Sequence, residues 1–205
     1  MTYWDPENRA IREVQNVQDS ASELFQTAAM LLGKEQEAVS VIEEVVAETE
    51  GDPCGDPRTA HQAARERVIA ASLKRLAKYP AGGLDAELAA GGTTQRSCIE
   101  SEDLEAAGVT VAQLESLMEG PGRARLREWL DRLSPAMRAV FVLRAVLGRG
   151  SAISAEALQA SGSRGASAWT PSTVSQVYRQ ALCSLATSLL HCSHAAISRQ
   201  LPAKS

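Results

Sequence analysis

Aromatic side chains are scarce in this chain: three Trp, three Tyr and two Phe among 205 residues. Runs of β-branched residues are short as well, while alanine is abundant. Strands draw on the residue types that are missing, and helices on the one that is plentiful, so the composition favours helices. Long apolar stretches are absent, and no basic-then-apolar start marks a signal peptide. The sequence therefore predicts no membrane insertion and a cytoplasmic location. The four cysteines, Cys54, Cys98, Cys183 and Cys192, form no CxxC pair, and reduced thiols are expected. His191, Cys192 and His194 lack a fourth ligand at a metal-site spacing, so no metal is expected there. Nucleophile–base pairs, phosphate loops and metal motifs are not found, so neither an enzyme nor a cofactor is expected.

What is present is an uneven charge. Residues 1–80 hold nine Lys/Arg against 14 Asp/Glu, and residues 81–122 hold one against eight. Residues 123–205 hold 11 against three, a net of +8 inside a chain whose total is −4. A basic third joined to acidic segments suggests a nucleic-acid-facing module attached to something else. Mutual attraction of the oppositely charged parts is the competing explanation.

Apolar periodicity places helices along most of the chain. One runs over 5–32 and ends at Gly33. A second, "KEQEAVSVIEEVVAETE", has Ala38, Val41, Ile42, Val45 and Val46 as its stripe and an acidic opposite face. A third runs from about Arg58 to Lys78. Together they predict a helical domain over 1–80. "PAGGLDAELAAGGTTQRS" reads as linker chemistry, and short acidic helices are expected within 101–119, giving a linker over 81–122. The domain over 123–205 opens with Leu126, Trp129, Leu130 and Leu133 on one face. Ser134 then caps a helix that has Pro135 at its first position. "ISAEALQASG" is a short helix, and Thr170–Pro171 repeats the cap-plus-proline device for a last long helix.

Short helix, turn, capped helix is the order of a helix-turn-helix, whose second helix enters the major groove. The outward positions of that helix are Ser172, Thr173, Ser175, Gln176, Arg179 and Gln180. Their hydroxyls, amides and guanidinium can bond base edges or phosphates.

Read in order, the chain resembles the extracytoplasmic-function (ECF) sigma factors. "LDRLSPAMRAVFVLR" is similar to the opening of the family's region four, with matches at Leu130, Leu133, Pro135, Arg138, Val140, Phe141, Leu143 and Arg144. "STVSQVYRQALCSL" resembles its recognition helix at Thr173, Val174, Ala181 and Leu185. "LLGKEQEAVSVIEEVV" resembles region two at Leu31, Leu32, Gly33, Ala38, Ile42 and Glu44. The resemblance implies an all-α protein of two small helical domains. Region two would dock on core RNA polymerase and help open the promoter, and region four would read the upstream promoter element. Glu37, Glu43 and Glu44 are then the polymerase-facing candidates, with a merely solvated helix face as the alternative. An anti-sigma factor is a further possible partner.

Three departures stand out. Ser175, Val177, Gln180 and Leu182 occupy positions that the family usually fills with Lys or Arg. "GSRGASAWT" makes a long turn, in which either Trp169 anchors an enlarged loop or the helix pair is splayed. Residues 51–66 offer no aromatic to stack on an unpaired base. Two readings follow: a divergent sigma factor that directs promoter-specific initiation, or a sigma-like interaction protein that has lost promoter reading. Arg123, Arg125, Arg127, Arg132, Arg138, Arg144, Arg149 and Arg164 remain as candidates for phosphates or for the acidic linker, including Glu100, Glu102, Asp103 and Glu105.

Overall fold

A computed structural model describes residues 6–48, 56–79, 83–85 and 122–198. All regular structure among the described residues is helical, so the fold is all-α. The chain divides into two compact units, 1–75 and 76–205. The expected acidic helices within 101–119, the acidic residues 100–105 and most of the expected linker lie outside the described residues.

The first unit is built from α1 (Pro6–Leu32), α2 (Glu35–Ala47) and most of α3 (Pro57–Ala77). Gly33, at φ +72°, closes α1 where the sequence placed its end. Ala28, Leu31, Ala38, Val41, Val68 and Leu73 form the buried core, each nearly without solvent contact. Val45 completes the α2 stripe, but Val46 does not join it. Val46 stands 66% exposed, because adjacent helical residues are turned by about 100° and the stripe runs through 38, 41 and 45. Glu44 accepts from Arg75 at 3.4 Å, and Glu23 pairs with His61 and Arg65 at 3.6 Å each. These contacts orient α3 on its neighbours, and exposed pairs of this kind contribute at most about 1 kcal/mol each.

Asp56 caps α3. Its carboxylate accepts from the Thr59 amide at 3.0 Å and from the Thr59 hydroxyl at 2.7 Å. The hydroxyl bond, then the amide bond, pulls the Asp56 pKa below its ordinary 3.8. A lowered carboxylate pKa stabilises the fold above the unfolded value and stops doing so as pH falls through the folded one. The Thr59 amide is therefore expected to lose exchange protection only below about pH 4, and an Asp56→Asn chain to show no such transition. An NMR titration of that amide checks both.

The second unit contains α4 (Gly122–Arg132), α5 (Pro135–Phe141), α6 (Ser151–Gln159) and α7 (Pro171–Ser198). As the sequence predicts, the Ser134 hydroxyl caps α5, accepting from the Met137 amide at 3.3 Å. Ser134→Ala is expected to cost about 1 kcal/mol, measured by urea denaturation. A π-helical turn, Val142–Val146, continues α5 and ends in the Leu147 amide bonding the Val142 carbonyl at 2.9 Å. Phe141 is the hub of this core. The Trp129 ring meets it edge-on at 4.8 Å, and Tyr178 lies at 6.3 Å. Trp129 is itself tied to α7 by its indole N–H, which donates to the Ser184 hydroxyl at 3.3 Å.

Candidate nucleic-acid interface

The turn between α6 and α7 is long because it folds back into the unit. Gly162, at φ +75°, reverses the chain after α6 in a conformation that costs other residues a steric clash. A short 3-10 turn, Ala166–Ala168, leads into Trp169, which is fully buried. Gln159 on α6 donates to the Trp169 carbonyl at 2.7 Å. Of the two arrangements open to this turn, the anchored loop is the one observed.

Thr170 then caps α7. Its hydroxyl accepts from the Thr173 amide at 3.1 Å and lies 2.9 Å from the Thr173 hydroxyl. The Thr173 hydroxyl donates to the Ala168 carbonyl at 3.0 Å, so its single proton is spent there. Ser175 is committed too. Its hydroxyl donates to the Pro171 carbonyl at 3.0 Å and stands 2.9 Å from the Ser151 hydroxyl of α6. Thr173 and Ser175, predicted as outward readers, thus serve the cap and the α6–α7 joint. Helical phase alone points them outward, and the hydrogen bonds draw them in.

Ser172 and Gln176 are exposed, and Arg179 and Gln180 are half-buried. Residues 172, 176 and 179 fall within about 60° of helical arc. They form one stripe offering a hydroxyl, an amide and a guanidinium, the groups that read base edges. Further along the same stripe Cys183 is buried and disulfide-bonded, to a partner whose side chain is not among those described. At this position the expected reduced thiol is replaced by a crosslink.

The arginines divide into two groups. Arg138 is buried in the core. Arg144 lies over the Tyr178 ring at 5.2 Å and donates to the Arg149 carbonyl at 2.6 Å. Burial raises the Tyr178 pKa, and the Arg144 charge partly offsets that rise. Arg138 is thus turned into the core, and Arg144 makes its contacts within the unit. Arg127, Arg132 and Arg164 are exposed, and Arg149 is half-buried. Arg132 has Glu128 of α4 at 3.9 Å. The side chains of Arg123 and Arg125 lie outside the described set.

On α2, Glu37 is half-buried and bonded to Lys34 at 3.0 Å, and Glu44 is engaged by Arg75. Glu43 is exposed between Val39 and Val46, which are 37% and 66% exposed. Positions 39, 43 and 46 share one face of the helix, so the three acidic candidates do not form one patch.

One residue had no sequence signal. Asp85, beyond α3, bonds the turn before α7 across a separation of 79 and 80 residues, and no local pattern announces such a contact. Comparison with family models finds no match, and neither the curated proteins nor the solved structures contain one. No described helix is long and apolar enough to cross a membrane.

Proposed function

We propose that this chain is a divergent ECF-type sigma factor, a cytoplasmic, non-enzymatic protein that binds core RNA polymerase and directs promoter-specific initiation. The observation that carries the reading is the capped helix α7, set on α6 through an anchored turn, with Ser172, Gln176 and Arg179 on one stripe. Exposed arginines in α4 and in the turn supply charge for phosphates. The exposed Val39, Glu43 and Val46 face of α2 offers an apolar surface with an acidic centre for the polymerase. The test is co-purification of the chain with core polymerase, followed by transcription on genomic fragments. Failure to bind polymerase rejects the proposal.

A second reading has an observation of its own. Thr173 and Ser175 spend their hydroxyl protons on internal bonds, which leaves a reading face sparse in donors, with a single cation. A sigma-like protein that engages polymerase or an anti-sigma factor without reading promoters fits that face. Polymerase binding with no enrichment of any duplex from a random library selects this reading over the first.

A further inference from the structure

Gly83, Leu84 and Asp85 follow α3 and Tyr79, and the neighbours of Gly83 and the hydrogen-bond partners of Asp85 belong to the second unit. Gly83 sits so close to the end of α3 that a Cβ there would lie 2.9 Å from the Leu76 carbonyl oxygen and 3.1 Å from that of Tyr79. Leu84 is completely buried. Asp85 spends both carboxylate oxygens on consecutive backbone amides of the turn before α7: Oδ2 accepts from Arg164 at 3.1 Å and Oδ1 from Gly165 at 2.8 Å.

The turn needs an outside restraint. It contains Gly162 and Gly165, whose backbones lose the most conformational freedom on ordering. Trp169 fixes its far end and Ser161 its near end, through a hydroxyl donated to the Leu158 carbonyl at 2.6 Å. Between them, Asp85 supplies a charged acceptor with two parallel bonds, a geometry that fixes direction as well as distance.

We infer that Gly83–Leu84–Asp85 is an intramolecular clamp and that Asp85 is a positioning residue for α7. The carboxylate sets the Arg164–Gly165 peptide, the turn carries that setting to the Thr170 cap, and the cap sets the start of the reading stripe. The clamp stands on the fold alone, while its consequence for DNA rests on the reading proposed above.

The experiment compares the full chain with Asp85→Asn and Asp85→Ala by NMR amide exchange. An asparagine keeps the size of the side chain but has one accepting oxygen in place of two. Asp85→Ala is expected to speed exchange at both Arg164 and Gly165 by about tenfold or more, as loss of a charge-assisted bond implies. Asp85→Asn is expected to speed it at one of the two, with α5 amides unchanged in both variants. Gly83→Ala, which forces the segment off the α3 carbonyls, is expected to speed exchange at both. Unchanged exchange at Arg164 and Gly165 in all three variants overturns the clamp.

The consequence is measured on a duplex that the wild-type chain selects from a random library. Asp85→Ala is expected to weaken binding about three- to tenfold with no change in salt slope, since Asp85 neutralises no phosphate. Unchanged or tighter binding by the variant overturns the positioning role. If the wild-type chain selects no duplex, promoter reading fails, and the amide exchange still decides the clamp.

Discussion

Trp169→Ala is expected to remove about 3–5 kcal/mol from the stability of the second unit, the cost of truncating a fully buried large aromatic. Among the described residues Trp169 is the largest side chain with no solvent contact, and it lies in a turn where no helix of more than three residues holds the backbone. Truncation removes core contacts and leaves the carbonyl to which Gln159 donates without an anchored residue to carry it. The loss is large beside a typical domain stability of about 5–15 kcal/mol. Urea denaturation followed by circular dichroism measures it. Trp169→Phe is expected to be far milder, below about 1.5 kcal/mol. The Trp169 indole nitrogen is buried without a hydrogen-bond partner, and deleting an unsatisfied donor recovers part of what the smaller ring loses. If alanine costs as little as phenylalanine, burial of the ring is not what holds the turn.

The helices were legible because their signals are local. Ser134–Pro135 and Thr170–Pro171 start α5 and α7 where the cap-plus-proline device puts them, and Gly33 ends α1. The core of the second unit was legible from spacing, with Trp129, Leu130, Phe141, Val174, Ala181 and Leu185 all buried. The candidate site was legible only in part, because a reading face depends on which polar atoms remain unspent. Thr173 and Ser175 have outward phases, yet their protons go to backbone carbonyls five and four residues back. The charge balance is legible in the sequence, but where each charge sits is not. Arg138 and Arg144 contribute to the basic third of the sequence while sitting in the core or over Tyr178. Their helix is apolar on most sides, so an arginine there has to turn inward or stack. Asp85 was beyond reach for a different reason: its partners are backbone amides, which every residue but proline offers.

Arg179→Ala is expected to weaken binding to a selected duplex by about five- to 150-fold, the 1–3 kcal/mol that one good base contact contributes. Arg179 is the only cation among residues 172–180 and shares its stripe with Ser172 and Gln176. Two forms of loss can be told apart. If the guanidinium reads a guanine, specificity relaxes at one base pair and other sequences are bound as before. If it contacts a phosphate, affinity falls evenly across sequences and the salt slope shrinks by about 0.9. Arg144→Ala is the matched comparison, since it removes an equal charge from the same unit. Its guanidinium is stacked on Tyr178 and bonded to the Arg149 carbonyl, so its loss is expected to lower thermal stability and leave the salt slope as it was. Equal salt slopes for Arg179→Ala and the wild-type chain, with no change in sequence preference, reject the stripe as a reading surface. A change at Arg179 and none at Arg144 places recognition on one face of one helix, and assigns the arginines of "LSPAMRAVFVLR" to holding that helix in place.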